Sequence, residues 1–412
     1  MSHSQTLDVL LIGAGPAGSL AAAQLARSGH EVLVLEKQRF PRFSIGESLL
    51  ANSLQFIEDA GMLDAVLACG FQFKNGAAFV QGARRSEFNF VDKVSNGPAY
   101  TFQVPRADFD HALALQAERM GAKVRYEVEI TGVDFSGERP VVRSRSGQGG
   151  EEVHRPRFVL DASGFGRTLS RLLSLERPST FPVRAALFTH IADHIPAGAF
   201  DRQKIRISIH PREREIWYWL IPFSNGRSSL GVVASRELHT RYQGTAEERL
   251  WQLVREESSL AALLADAEPV AQVGEIVGYA ASVSELHGRH FALLGNAAEF
   301  LDPVFSSGVT IAMQSANLAA AAVARQLKGE TVDWNVSFSE PLMYGVETFR
   351  AFVGAWYDGD LQDIIFFERA DPLTRRRICS VLAGYAWDAA NPYTGPRTAQ
   401  RLRTLAELCR QG

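Results

Sequence analysis

The chain has 412 residues, 46% of them hydrophobic and 22% charged, with a formal net charge of -3. That is enough length for two or three lobes around a shared core, and it offers no basic field to condense on nucleic acid or anionic lipid, so the substrate should be small or protein-borne. No run approaches the roughly 18 to 20 apolar residues of a membrane span, residues 1–7 are too polar to open a signal peptide, and Cys69, Cys379 and Cys409 show no CxxC or Cys/His metal spacing. A cytoplasmic enzyme with free thiols and no metal is expected.

The first forty residues predict a βαβ unit. Apolar runs at 9–12 and 32–35 flank a glycine-rich turn and a helix over 16–28, whose Leu20, Ala21 and Leu25 face inward. Parallel strands covered on both faces read as continuous apolar runs of this kind. The pattern is then helical from 49 to about 67, strand-like at 77–80 and 101–104, and helical over 108–120. A strand at 123–126 returns the chain to the first sheet. Gly147, Gly149 and Gly150 mark a hairpin end or a surface loop, and 158–160 is another buried run, ending in Asp161.

Short alternating segments between 183 and 233, such as 204–209 and 216–221, predict an antiparallel sheet. The first sheet resumes at 291–294 and leads through Gly295 into an apolar helix over 308–327. Beyond 332 the chain is helical and aromatic-rich, with Trp356, Tyr357, Phe366 and Phe367. The expected fold is α/β: a three-layer, Rossmann-like domain in two pieces (1–180 and 275–330), an inserted antiparallel β-sheet substrate lobe (181–274) and a C-terminal helical cap (331–412). The aromatic stretch 356–367 is expected to line the substrate mouth.

Gly13-Ala14-Gly15-Pro16-Ala17-Gly18 fits G-x-G-x-x-G directly between a strand and a helix. Gly13 permits the tight turn, Gly15 lets the backbone approach a pyrophosphate, and Gly18 lets helix and strand pack closely. The helix opening at Pro16 and Ala17 points its free N–H groups at the phosphate charge. Glu36, at the end of the second strand, is placed to accept from a ribose hydroxyl and disfavours a 2′-phosphate. FAD is preferred over NAD because Asp161-Ala162-Ser163-Gly164 and Gly295-Asn296-Ala297-Ala298 each follow a buried strand, and the second opens onto Asp302-Pro303. Lys37 and Arg106 are further expected cofactor contacts. The bland alternative is a glycine turn that binds nothing.

Five stretches make the chain resemble the FAD-dependent monooxygenase and halogenase superfamily, and within it the flavin-dependent halogenases of pyrroles and phenols. They are the Gly13 motif, Phe43-Ser44-Ile45-Gly46-Glu47-Ser48, Gly70-Phe71-Gln72-Phe73-Lys74-Asn75-Gly76-Ala77, Trp217-Tyr218-Trp219-Leu220-Ile221-Pro222 and Asp302-Pro303-Val304-Phe305-Ser306-Ser307-Gly308. The resemblance implies that Ser44, Ile45, Gly46 and Glu47 wrap the flavin, and that the indoles of Trp217 and Trp219 obstruct the approach a hydroxylase would use. It implies a halide (chloride or bromide) site at the backbone N–H groups of Ser307 and Gly308, and it makes Lys74 the family's active lysine. In the family, reduced FAD and O2 convert halide to hypohalous acid, which the lysine binds or captures and delivers to an aromatic ring. A lysine suits this because burial can lower its pKa to leave a neutral amine.

Departures from the relatives matter too. Asn296 stands where hydroxylases and reductases carry Asp in G-D-A, and Phe305 stands in the substrate channel where tryptophan halogenases carry Glu. The second departure favours a pyrrolyl or phenolic acyl group tethered to a carrier protein. No second nucleotide-binding unit is visible, so reduced FAD is expected from a separate flavin reductase. The alternatives are a surface lysine in a loop, an ordinary amphipathic strand for the two tryptophans, and a flavin or phosphate contact at Ser307 and Gly308. At the level of the whole protein they are an aromatic hydroxylase, a reductase or dehydrogenase of the geranylgeranyl-reductase type, or an inactive flavin-binding partner.

Overall fold

The computed structural model describes residues 7–147, 149–179 and 181–411. Its first sheet runs in the order His287–Gly288, Phe291–Leu293, Phe158–Asp161, Val9–Ile12, Val32–Glu36 and Lys123–Tyr126. All pairs are parallel except the short edge strand His287–Gly288. The period-2 alternation divides each strand between two cores. Val9, Leu11, Phe158 and Leu160 join Leu20, Ala21 and Leu25 of the helix Pro16–Arg27, together with residues of Arg106–Arg119 and Ser307–Leu327. Leu10, Ile12 and Val159 instead meet Val128, Ile130 and Val142 of a three-stranded antiparallel sheet, Val128–Asp134, Val141–Ser146 and Glu151–His154. These are the three layers, and they explain why the inner strands read as unbroken apolar runs.

The second sheet runs Glu268–Pro269, Arg184–Ala192, Arg227–Ser235, Trp217–Pro222, Lys204–Ile209, Gly76–Gln81 and Arg84–Asn89, with Gly274–Val277 also pairing to Arg184–Ala192. The join between Lys204–Ile209 and Gly76–Gln81 is parallel. Two strands from residues 76–89, expected within the first piece of the two-piece domain (1–180), therefore belong to the second sheet. Their alternation announces strands, but it carries no information about which distant strand they pair with. Along Trp217–Pro222, Trp217, Trp219 and Ile221 face the large core shared with the layers around the first sheet. Tyr218 and Leu220 face the opposite way, under the helices Ala246–Glu256 and Ser258–Leu263. These two helices were not expected. Their sequence signal was the capping box of Thr245 and Glu248, whose reciprocal hydrogen bonds are present.

The C-terminal segment contributes the helices Glu340–Tyr357, Asp360–Ile365, Pro372–Leu382 and Thr398–Gln411. Trp356 has no exposure and packs against Phe79 and edge-on to Phe305. It is a core residue, which corrects the expectation that it lines a substrate mouth: so large an apolar ring is worth most where it is wholly removed from water. Among the described residues no helix is long and apolar enough to cross a membrane.

The glycine turn shows how tightly the first layer is drawn. Gly13 has a φ of +94°, and a Cβ there would lie 2.6 Å from the Ala162 carbonyl oxygen; one on Gly18 would lie 2.0 Å from the Gly13 carbonyl oxygen. Gly18→Ala should therefore push the helix off the strand and destabilise the apoprotein by about 2 kcal/mol or more. Urea unfolding is the check, with a lower midpoint and an unchanged slope expected; wild-type stability would contradict so close a contact.

Candidate active site at the junction of the two sheets

A cavity of about 680 Å³ runs from the glycine turn to the inner face of the second sheet, a size suited to a cofactor or drug-sized ligand. Gly15 lines it and differs from its two neighbours. Its φ is -67°, and an added Cβ would meet nothing closer than an Arg42 guanidinium nitrogen at 3.5 Å. Neither backbone conformation nor protein packing demands glycine here, so the bare backbone serves a ligand approaching from the cavity, as a pyrophosphate would. Pro16 and Ala17 line the cavity beside it, whereas Gly18 is spent on packing.

Around this point the loops are held by charge. Glu36, 5% exposed, accepts hydrogen bonds from Ala14 N at 2.8 Å and Gln38 N at 2.9 Å while lining the cavity. Its carboxylate thus stiffens the turn as well as facing the ligand space. Lys37 sits on the rim, paired with Glu129. Asp110 has no exposure and is gripped from two sides. Arg106 binds it through Nε at 2.7 Å and Nη2 at 2.9 Å, and Arg42 approaches to 3.3 Å. Arg106 also donates to the Ile45 carbonyl oxygen at 2.6 Å, so one guanidinium fixes the loop 43–48 to the helix Arg106–Arg119. Ser44, Ile45, Gly46 and Glu47 line the cavity on this side, and the Glu47 carboxylate lies 2.7 Å from His190 Nε2. Arg42, Phe165 and Phe300 also line the wall and were missed; no local pattern distinguishes them.

Gly295 and Asn296 line the opposite side. Gly295 has φ +52° and would clash with Ala312 of the long helix if it carried a Cβ. Asp161, by contrast, does not reach the cavity: it is fully buried and accepts from Ser163 N and Leu169 N. It shapes the loop whose Ala162, Ser163 and Gly164 do line the cavity, which corrects its assignment as a direct cofactor contact.

The far wall is aromatic. Trp217 and Trp219 both line the cavity, their ring centroids 5.9 Å apart. Each is fixed at its nitrogen: Trp217 Nε1 donates to Tyr357 Oη at 3.0 Å, and Trp219 Nε1 donates to Ser229 Oγ at 3.0 Å. Trp219 lies flat over Gly231, its cross-strand partner, where a Cβ would stand 2.1 Å from the ring. Tyr357 passes the connection on, donating to Asp302 Oδ2 at 2.8 Å, which Tyr279 also reaches at 3.1 Å. Asp302 is therefore an anchor behind the wall rather than a cofactor contact. Burial raises its carboxyl above the usual range, against the pull of the Tyr357 hydroxyl. Phe305 likewise leaves the predicted channel and packs edge-on to Phe352 and Trp356 in the core. The 3-10 turn Pro303–Phe305, capped by Asp302, directs it inward.

Ser306 takes the left-handed conformation at φ +55° and begins the helix Ser307–Leu327, which no side chain caps. The first N–H groups of such a helix have no intrahelical partner and favour an anion. Gly308 lines the cavity; the side chain of Ser307 is 1% exposed and does not.

Lys74 is not a surface lysine. It ends the short strand Gln72–Lys74, has no exposure, and holds its amine 2.7 Å from Ser48 Oγ and 2.7 Å from the Leu49 carbonyl oxygen, 5.3 Å from the centroid of the Phe90 ring. Burial pushes its pKa down to about 7. It does not line the cavity; Ser48 does.

Two outcomes follow. Gly15→Val should leave apoprotein stability within about 0.5 kcal/mol of wild type while lowering FAD affinity at least about tenfold, because its branched side chain obstructs only the ligand; fluorescence titration with FAD checks this. For Lys74, the unfolded chain holds a proton between about pH 7 and pH 10 that the folded chain has released. Stability should thus rise with pH across that window and be lowest below it, by an amount on the order of 5 kcal/mol for a wholly enclosed amine. Lys74→Met should flatten the rise, as measured by urea unfolding at about pH 6.5 and about pH 9.5.

Residues 6–337 match the family model described as an FAD binding domain. The chain is 30% identical to a 1H-pyrrole-2-carbonyl-[peptidyl-carrier protein] chlorinase of Pseudomonas fluorescens, over 92% of this chain and 89% of that protein. Among solved structures, a flavoprotein/dehydrogenase from Cytophaga hutchinsonii is 44% identical with a TM-score of 0.95, covering 99% of this chain and 100% of that one. The flavin-dependent brominase Bmp2 is 27% identical with a TM-score of 0.83, covering 99% and 100%. With a glycine turn kept bare for a ligand and loops gripped around the cavity, the chain belongs to the FAD-binding flavoproteins and, among them, to the flavin-dependent halogenase family of oxidoreductases.

Proposed function

We propose that the protein uses FADH2 delivered by a separate flavin reductase, O2 and chloride or bromide to halogenate a pyrrolyl or phenolic acyl group carried on an acyl or peptidyl carrier protein. The observation that carries this reading is the enclosed amine of Lys74, linked through Ser48 to the cavity that Trp217 and Trp219 wall off. Bound reduced FAD, with O2, supplies the oxidising power that halide chemistry needs. The chain's own residues do the rest. The N–H groups at Ser307 and Gly308 hold the halide at the mouth of the long helix. The two indoles keep the aromatic substrate away from the flavin and channel a small oxidant instead. Lys74, with its pKa lowered by burial, presents an amine that can hydrogen-bond hypohalous acid or take up its halogen. The carrier-bound substrate is supported by the chlorinase relative, which acts on a pyrrole-2-carbonyl group on a peptidyl carrier protein.

A second reading, a flavin dehydrogenase, is favoured by the description of the Cytophaga hutchinsonii protein. It requires a hydride donor or acceptor and no halide, and it gives Lys74 no chemical task.

The readings part at Lys74. Lys74→Ala should retain FAD binding and oxygen consumption but lose halogenated product by at least about a hundredfold, and Lys74→Arg should be nearly as impaired, because a guanidinium stays protonated. Mass spectrometry of reactions with a flavin reductase, O2, halide and both free and carrier-bound pyrrole or phenol acids is the measurement. Halogenation by Lys74→Ala at close to the wild-type rate would remove the lysine from the chemistry. Turnover of the free acid with none of the thioester would remove the carrier protein.

A further inference from the structure

An amine that takes part in chemistry must gain and lose protons, and Lys74 is sealed. Of the three described groups that meet its amine, Ser48 touches both sides: its Oγ is 2.7 Å from Lys74 Nζ, and the residue lines the cavity although only 3% exposed. The other two, the Leu49 carbonyl and the Phe90 ring, do not line the cavity. Ser48 is also held still. Its segment is stitched to the strand Thr101–Gln103 and the residue after it by Leu49 N to Phe102 O at 3.1 Å, by Val104 N to Glu47 O at 2.7 Å, and by a bridge between Ser48 and Gln103.

We propose that Ser48 is the positioning residue for Lys74 and the conduit through which its amine exchanges protons with the cavity. A hydroxyl is suited to this because it donates and accepts at once and its hydrogen rotates freely. In the outward direction an Nζ–H bond breaks as Ser48 Oγ takes that proton. The original Ser48 O–H bond breaks as its hydrogen passes to the oxygen of a water or hydroxide in the cavity. Serine ends as it began, the amine is neutral, the acceptor is protonated, and no electrons change hands; the reverse recharges the amine. A carbonyl such as that of Leu49 accepts but has no proton to hand on. The proposal deepens the assignment of Lys74 as the halogen-handling amine, and it also stands apart from that assignment, since proton exchange at Nζ is measurable without turnover.

Thr101 provides the control. It stands directly opposite Lys74 in the two-stranded ribbon, is fully buried, and its hydroxyl has no hydrogen-bond partner. Removing that hydroxyl as Thr101→Val should cost little, since no bond is broken, and should leave the conduit intact.

The experiment uses FAD-saturated protein with isotope-labelled lysine, the Lys74 resonance being assigned by its loss in Lys74→Met. The exchange rate of the Nζ hydrogens with water is compared in wild type, Ser48→Ala, Ser48→Thr and Thr101→Val. Ser48→Ala should slow exchange at least about tenfold, with Ser48→Thr returning it to within about threefold of wild type and Thr101→Val tracking wild type. Wild-type exchange in Ser48→Ala, equal slowing in Thr101→Val, or no rescue by threonine would each overturn the conduit. Should the alanine variant not fold, Ser48→Cys, close in size but a weak donor and acceptor, reads the same quantity. Exchange that depends on Ser48 in a protein whose Lys74→Ala variant still halogenates would keep the conduit and discard the catalytic role of Lys74.

Discussion

Backbone packed on backbone at the first turn sets the frame from which the rest of the molecule is built. The Gly13 carbonyl lies under Gly18 and the Ala162 carbonyl lies against Gly13, so the first strand, the first helix and the loop after Phe158–Asp161 meet backbone to backbone, with only the Ala162 methyl beside them. Once these three are brought so close, the cavity has a fixed floor, and Gly15 is left as the open place on it. The loops around it are then placed by a few polar anchors. Glu36 ties to Ala14 and Gln38, Asp110 is gripped by Arg42 and Arg106, and the Gly295 amide donates to Ser315 Oγ.

How much of this was legible depended on how local the information was. The βαβ opening could be read because strand, turn and helix are contiguous and each residue type answers to its own backbone. The alternation in Trp217–Pro222 likewise gave the two faces of the strand. Register between distant segments was not legible: nothing in residues 76–81 names Lys204–Ile209 as their neighbour, so the sheet these strands join could not be read. Direction was the other blind spot. Asp161, Asp302 and Phe305 sit in or beside motifs that line the cavity, yet their side chains point away from it, toward loop amides, tyrosine hydroxyls and core aromatics. Membership in a motif indicates the neighbourhood of a residue, and only packing decides which way it faces.

Lys74 illustrates both limits. Its position in the sequence marked it as a candidate, but the same string is compatible with a solvated loop. What separates the two is the closing of residues 48–49, Phe90 and Thr101 around it, contacts that span 16 to 27 positions of sequence. The cost of enclosing an ammonium is met in part by two short hydrogen bonds and an aromatic face, and it leaves the group poised near neutrality.

The wall made by the two indoles has a consequence for attempts to move it elsewhere. A hexapeptide grafted into another flavoprotein would bring both rings, but the surroundings that orient them are scattered through the host. One ring lies on a bare glycine of the adjacent strand, and the other hangs from a phenol on a C-terminal helix that is itself moored to a buried acid after the strand Phe291–Leu293. A transplant lacking Gly231, Tyr357 and Asp302 would carry the letters of the motif without its rigidity.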